Sequence, residues 1–547
     1  MNVATKAPIL RGKRTTLSPI DTSLLVLAPF AVVVYNLYYH PFSPFPGLFM
    51  ASTGSSWLTW EYDSDLEDLE PLLHEEYGPI VRISPNIISV NDPNYVKEIS
   101  IQANPPHWWL PFGHEGVNDV FFVPPPGLHA EWRKCSAPTC SVGMVGLWEG
   151  VVDCRVREWA EKLKAKYGSS EAHLDLSEWA RHLSVDLVGL VVFGVDMGCT
   201  QNREDNKGRT PAFESELENV GVLAELRTIY RTLTWNSFIP NISGEKADRE
   251  GPEALRVKAG LIIDTAWMSR EKSEAGGEEW HLNSEYATQA VTMLEKAMSA
   301  KNSEGTRFTK EEVLTKCFPP FLASKDSIAF AITNTLKLLF TNPRVLATLL
   351  SELATYYWQK PLSEIPPWTD IEDQGTRLPY LSAVLHESLR FNPAFLMSFP
   401  RIVTSSGTEL THRNCLYTLP GGLQIYLNPI VICRNRRIFG EDVHHFCPER
   451  WLEGTREKIE RMKTVGFGWG AGSSDCFGKA LAQMIVAKAV VTVLRNFEVE
   501  LPVGYSSGDV WNLGAMGGSS AAEFWAKVKS KEWPGAEGEM GGPSEHL

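Results

Sequence analysis

No phosphate loop of the GxxxxGK[ST] type, no GxSxG elbow, no HExxH and no paired CxxC occurs in these 547 residues. Those absences argue against P-loop NTPases, elbow-type serine hydrolases, zincins and ribbon-type zinc sites. Cysteine is scarce: nine residues, an odd number, with no framework of tight spacings. A disulfide-dense secreted fold is therefore not expected. Positive charge is in deficit, since 52 Lys and Arg face 66 Asp and Glu for a net charge of −14. General nucleic-acid binding needs the opposite balance. There is no internal repeat and no long low-complexity linker before the tail at 531–547. A prior of about 150 residues per domain would suggest three or four domains, yet few boundaries present themselves. With 43% hydrophobic and 22% charged residues, the chain reads as globular and not as disordered, collagenous or coiled-coil. Its length suffices for an extensive core.

Charge is also missing locally. From Thr22 to Trp60 there is no Asp, Glu, Lys or Arg. The apolar part, Leu24 to Tyr39, reads LLVLAPFAVVVYNLYY. It is slightly short of the ~17–25 residues that span a bilayer, and its closing tyrosines resemble an interfacial belt. A proline-punctuated stretch, His40 to Gly47, follows and reads as a stiff hinge. The expectation is one N-terminal membrane anchor over 23–39, behind a basic tail at 1–22. Lys6, Arg11, Lys13 and Arg14 precede the anchor, and the next Lys or Arg after it is Arg82. That bias alone would keep the N-terminus cytosolic and send the body across the membrane.

What is present in the body is mostly helical periodicity. Apolar residues recur at three- and four-residue spacing from Leu147 to Leu353, as in Glu178–Phe193 and Ala329–Phe340, and again in Ala480–Phe497. Period-two alternation marks Tyr77–Ile99, with turns at Ser84-Pro-Asn and Asn91-Asp-Pro and a helix from Pro93; short extended runs return between Leu396 and Tyr426. The fold class is thus mainly α with a minor β portion, one domain over 40–530, and a loose tail at 531–547.

Four motifs carry chemistry. The segment 467–482, FGWGAGSSDCFGKALA, delivers Cys476 through a glycine-rich loop to the start of an apolar helix. Helix N-termini favour thiolates, and glycines let a flat ligand approach the backbone. An isolated cysteine there suits an axial ligand to haem iron, although a structural cysteine at a loop–helix junction has the same pattern. Upstream, Glu387 and Arg390 lie three apart on a helix and share a face. Arg450, in Pro448-Glu-Arg-Trp, is placed to join them as a triad, a role that suits planar guanidinium groups. Earlier still, Asp326 and Ser327 put an acid beside an alcohol in an apolar helix. That pair reads either as a proton relay near a reacting oxygen or as a solvent-facing edge.

The order of these motifs, acid–alcohol helix, ExxR, PERW and cysteine loop, resembles the cytochrome P450 haem-thiolate monooxygenases over roughly Tyr39 to Lys529. The stretches Tyr35–Pro41 and Val81–Asn86 look like fungal microsomal members, and Pro420-Gly-Gly, Asn428-Pro-Ile and Arg434 fit the family's stretch before PERW. The resemblance implies the cytochrome P450 fold behind a membrane-anchor helix. It implies haem b as cofactor, with Cys476 as its axial ligand. Trp469, Gly472, Phe477 and Gly478 would surround the cofactor. His129, Trp132, Arg133 and Arg401 fall where the family contacts haem propionates. Glu387, Arg390 and Arg450 become the structural triad, and Asp326 and Ser327 the proton relay. The implied partners are a small apolar substrate, the membrane, and NADPH–cytochrome P450 reductase as electron donor, with no nucleic acid. The catalytic body would face the cytosol at the endoplasmic reticulum, against the charge bias and in keeping with electron delivery.

The sequence departs from the family pattern in four places. Trp469 replaces a phenylalanine and keeps an aromatic shield. Ser474 replaces an arginine, and Asp475 adds negative charge beside the cysteine; both should weaken haem retention or lower the potential unless Arg133, Arg401 or another cation compensates. Ser324 and Ser327 replace the usual glycine and threonine, and serine holds its rotamer less firmly. Pro319-Pro320 should bend the central helix or delay its start. The leading expectation is insertion of one oxygen atom from O2 into an apolar metabolite such as a terpenoid or polyketide. Two rivals stay open: haem-thiolate rearrangement or dehydration without O2 activation, and a degenerate non-catalytic haem-binding protein.

Overall fold

The computed structural model describes residues 19–54, 66–92, 103–104, 133–134, 137–200, 252–277, 290–302, 304–358, 364–372, 377–394, 399–412, 415–470, 475–502, 511–513, 519–521 and 523–531, with the single positions 95, 99 and 280. Eight helices carry the argument: α1 (Pro19–Tyr38), α2 (Leu66–Tyr77), α3 (Val142–Tyr167), α4 (Leu176–Phe193), α5 (Pro252–Gly276), α6 (Lys310–Thr341), α7 (Pro379–Phe391) and α8 (Lys479–Asn496). Local chemistry sets their ends. The Asp175 carboxylate accepts the Ser177 N–H at 2.9 Å and starts α4, and Gly194, at φ 72°, closes it in the left-handed region. Thr309 and Glu312 form a reciprocal capping box that starts α6.

The core follows from which helices are apolar on most sides. α4 packs along α6, and α8 packs against α3 and α6. Trp148, Val152, Val156 and Trp159 of α3 and Val490 and Val493 of α8 are all but fully buried in one cluster with Phe193 and Phe321. A helix enclosed on most sides loses its polar face. Charge that enters such a core must be paired. Lys488 of α8 is fully buried and donates to Glu149 (2.8 Å), Asp153 (2.6 Å) and the Pro366 carbonyl (3.0 Å).

Twelve strands form the minor β portion among the described residues: β1 (Ile80–Ser84), β2 (Ile87–Val90), β3 (Ala103–Asn104), β4 (His173–Asp175), β5 (Phe399–Val403), β6 (Thr408–His412), β7 (Cys415–Leu419), β8 (Gln424–Leu427), β9 (Phe497–Glu500), β10 (Trp511–Leu513), β11 (Ser519–Ala521) and β12 (Trp525–Ser530). The largest sheet has the order β1-β2-β8-β5-β3; β2 and β8 run parallel and the other neighbours antiparallel. It sets Arg401 of β5 opposite Ile425 of β8. A second apolar cluster lies against it, with Ile80, Ile88, Ile425, Leu427, Phe439 and Trp451.

Two expectations change on contact with the structure. α6 is continuous from Lys310 through Pro319 and Pro320, so it does not begin late. The prolines cost it two N–H donors, but the capping box and core packing hold the helix on both sides of them. At the N-terminus, α1 runs from Pro19 to Tyr38 and exposes Leu27, Phe30, Val32, Tyr35 and Tyr38. Among the described residues no helix is long and apolar enough to cross a membrane. The end of α1 is docked on the body: buried Arg82 donates to the Asn36 carbonyl at 2.8 Å and to the Pro85 carbonyl at 3.0 Å. Beyond it, the Arg82 N–H donates to the Pro46 carbonyl at 2.7 Å. A Cβ on Gly47 would stand 2.1 Å from the Arg82 carbonyl oxygen, so only glycine allows this approach.

Candidate functional site

Cys476 sits at the head of α8, three residues before its first turn. Its N–H donates to the Trp469 carbonyl at 2.7 Å, and its own carbonyl accepts from Lys479 N–H at 3.3 Å. The Gly478 N–H is aimed at the thiol, and a Cβ on Gly478 would stand 3.8 Å from the sulfur. Cys476 retains solvent-accessible surface, yet the protein around it is dense enough that desolvation raises its thiol above the ordinary value. The Gly478 N–H, Arg133 and Lys479 pull the other way, and Asp475 adds to the rise. Burial outweighs the Gly478 N–H, Arg133 and Lys479 together. A cation at the sulfur would reverse that balance, because a coordinating thiol is deprotonated outright. Nearby Cys140 is buried, and its thiol is pushed up to about 12, first by desolvation and then by Cys476.

Trp469 is half-buried and packs on the main core cluster. Phe477 is half-buried, with the Arg133 guanidinium carbon 6.0 Å from its ring centroid. Arg133 also donates to the Asp475 carbonyl at 2.7 Å and to the Asp475 carboxylate. The charge that Asp475 adds beside the cysteine is thus met by Arg133. His129, Trp132, Gly472 and Ser474 lie outside the described residues.

Arg401 is buried on β5, and its Nε has no hydrogen-bond partner among the described residues. Burial alone pushes its guanidinium down to about 10. A buried cation without an anion is costly, and an anionic group of a ligand would relieve that cost. This is what the structure offers to a haem: a thiol donor for the metal and, for a carboxylate, a buried cation whose Nε is unpaired among the described residues. The residues present fit the group.

Glu387 and Arg390 share one face of α7, and Arg450 reaches them from the turn Pro448–Trp451. Arg390 donates Nε to Oε2 and Nη2 to Oε1 of Glu387, both at 2.8 Å. Arg450 Nε adds a bond to Oε1 at 3.0 Å. The Cys447 N–H at 3.0 Å and Trp451 Nε1 at 2.8 Å complete the shell. All three charged side chains are buried. Two cations around one carboxylate leave a charge over, and Asp442 balances it. Arg450 donates to its carboxylate at 2.8 and 3.1 Å, which holds that carboxyl below its usual range. Sequence spacing pointed to the three triad members; Trp451 and Asp442 were missed, although both stand within eight residues of Arg450.

Asp326 and Ser327 do not bond to each other. The Asp326 carboxylate is engaged by the buried ammonium of Lys325, with Arg181 Nε at 3.9 Å. Ser327 Oγ donates to the Ala323 carbonyl at 2.8 Å, within its own helix. Ser324 does likewise to Pro320 at 2.7 Å. Lys325 went unread in the sequence because a lysine on a helix is usually a solvated face; here it is buried.

The sequence offers four stretches as pocket lining: Pro105 to Phe122, the helix around Ala323, Ala394 to Met397 and Leu513 to Met516. Of these, 105–122, 395–397 and 514–516 lie outside the described residues, while the helix around Ala323 lies within α6.

Against known proteins, the sequence model described as "Cytochrome P450" matches residues 63–510. Relatives include the cytochrome P450 monooxygenase gsfF of Penicillium aethiopicum, 27% identical, with the match covering 86% of this chain and 90% of that protein. A pisatin demethylase of Fusarium vanettenii is 26% identical, covering 88% and 91%. A crystal structure of a cytochrome P450 (CYP102L1) superposes with a TM-score of 0.63 at 15% identity, covering 85% of this chain and 94% of that one, a likeness of fold.

Proposed function

The chain belongs to the cytochrome P450 family, and from that premise we propose that Cys476 is the thiolate ligand of a haem used to oxygenate a small apolar molecule. The family is one of monooxygenases that carry thiolate-ligated haem iron and take electrons from a reductase. The observation that carries the assignment to Cys476 is its accessible thiol at the head of α8, with the Gly478 N–H at the sulfur. Haem, when bound, supplies activation of O2, with one atom entering the substrate and the other leaving as water at the expense of NADPH through a separate reductase. Cys476 holds the iron, and the Gly478 N–H tunes the sulfur. Trp469, Gly472, Phe477 and Gly478 would hold the cofactor together with Cys476. Arg401 would take a propionate, a role the resemblance also implies for His129, Trp132 and Arg133.

Protons reach the reacting oxygen through this chain's own groups. Asp326 is partly exposed, which leaves its carboxylate open to water. Ser327 Oγ passes them on after releasing the Ala323 carbonyl. Glu387, Arg390 and Arg450 hold the wall behind the haem. The substrate class is an apolar fungal metabolite of terpenoid or polyketide type; the fungal origin of the relatives supports this, among them two pisatin demethylases.

The chain divides into a basic tail (1–22), an anchor (23–39), one catalytic domain (40–530) and a tail (531–547). The exposed apolar residues of α1 support membrane attachment, with the catalytic domain on the cytosolic side of the endoplasmic reticulum. The decisive experiment is the difference spectrum of the reduced, carbon-monoxide-bound protein beside Cys476→Ala. A strongly red-shifted Soret band that the variant lacks is expected. Its persistence in the variant would remove Cys476 from the iron.

A further inference from the structure

We propose that Arg133 is a positioning residue for the Cys476 sulfur, acting through Asp475 by locking the peptide bond that precedes the cysteine. The proposal rests on the reading of Cys476 as the ligand. Its basis is one peptide unit with both polar groups engaged. The carbonyl of that unit, Asp475 O, accepts from Arg133 Nη1 at 2.7 Å. The N–H of the same unit, on Cys476, donates to the Trp469 carbonyl at 2.7 Å. Turning the peptide plane breaks one bond or the other. With that plane held, the direction of the Cys476 side chain is held too.

Asp475 is what recruits the arginine. Arg133 Nη2 donates to its carboxylate, so the two terminal nitrogens of one guanidinium grip the side chain and the main chain of one residue. Lysine, a point charge without the planar fork, does not hold the two oxygens in one fixed geometry. The guanidinium also lies over Phe477, on the far side of the cysteine. One side chain thus touches the residues before and after Cys476. The pair sits at a rim, with Arg133 25% and Asp475 54% exposed. Its energy is correspondingly modest, and its contribution is geometric.

A propionate contact, the role the family resemblance implies for Arg133, is a different function, and the two separate cleanly. If Arg133 serves a propionate, removing the Asp475 charge frees it and tightens haem binding. If it locks the peptide, removing that charge loosens the site.

The test uses the full-length haem protein with Arg133→Lys, Arg133→Ala, Asp475→Asn and Arg133→Ala/Asp475→Asn. Two quantities are read: the fraction of reduced, carbon-monoxide-bound protein whose Soret band is not red-shifted, and the rate of haem transfer to apomyoglobin. Arg133→Lys should raise the first and speed the second by about three- to tenfold, the range of a partly hydrated charged hydrogen bond. Asp475→Asn should move both in the same direction by less, since the main-chain bond remains. The double variant should be no worse than Arg133→Ala alone. The proposal is overturned if lysine behaves as wild type, if Asp475→Asn slows haem loss, or if the two effects simply add. Asp475→Asn changes a half-exposed side chain, so it carries the test even if the Arg133 variants fold poorly. A Cys476→Ala control that kept the red-shifted band would sink the ligand reading itself, whereas a silent Arg133→Lys beside a band-less control sinks only the lock.

Discussion

At the scale of the residue, Glu387 carries one negative charge into a place without water and meets five donors there. Glu387→Gln keeps the shape and removes the charge, leaving buried Arg390 and Arg450 with too little anion between them. Breaking a buried pair from one side costs about 3–5 kcal/mol, so a clear fall in the urea midpoint of the haem-free protein is expected. Arg401 presents the reverse case. It is buried with no anion beside it among the described residues, so Arg401→Leu should leave the haem-free protein as stable as before or more so. The same change should weaken haem binding by about ten- to a hundredfold, the worth of a hydrogen bond to a charged group. Calorimetry of the haem-free protein and haem transfer measure the two halves separately, and a fall in both would count against a propionate role.

Elements obey a different set of constraints. α2 is tied to the sheet through His74, whose Nδ1 bonds the Gly78 carbonyl and whose Nε2 bonds Ser89 Oγ, both at 2.8 Å. The carbonyl can only accept, so Nδ1 carries a proton; burial disfavours a second one, so in the neutral ring Nε2 accepts from the Ser89 hydroxyl. Burial lowers the imidazole's folded value below the ordinary value of about 6.5. Above that pH both states are neutral and nothing is lost. Below it the unfolded chain binds a proton that the folded one refuses, so stability falls with acid. His74→Gln should flatten the decline in Tm between about pH 6.5 and 5; an unchanged slope would refute the account. α6 offers a second case. Pro320 withholds an N–H from the Lys316 carbonyl, and a proline inside a helix costs about 3 kcal/mol. Part of that is returned by the stiffer unfolded chain. Pro320→Ala should therefore raise Tm, by an amount worth about 1–2 kcal/mol.

At the scale of the whole molecule, a buried cation ties the N-terminal helix to the body. Arg82 sits in the sheet and donates to the Asn36 carbonyl near the end of α1. Burial pushes its guanidinium down to about 10. Removing residues 1–33 should abolish membrane pelleting and leave the fold intact. Removing 1–39 also takes away the Asn36 acceptor, which should cost about 1.5–3 kcal/mol. Comparing the two truncations in thermal unfolding separates an anchoring role of α1 from a structural one. Equal stability would mean that the contact contributes nothing.

Wherever function depends on residue type and local spacing, the sequence by itself was sufficient. A cysteine behind glycines at a helix start, Glu387 and Arg390 one turn apart, and apolar residues at helical period are local facts. Each was legible without coordinates. The helical body with a minor sheet followed from the same periodicities. Of the two effects expected of Pro319-Pro320, a bend or a late start, the late start does not occur, because proline's local cost is visible in sequence while the capping box and the packing that outweigh it depend on context. Long-range partnership was decided only by the tertiary structure. Arg133 and Asp475 are 342 positions apart, and nothing in either segment announces the other. The burial of Arg401, with no anion beside it among the described residues, and the burial of Lys325 on α6 were likewise decided by packing. Charge, burial and hydrogen-bond direction belong to the surroundings of a side chain, and those surroundings exist only once the chain has folded.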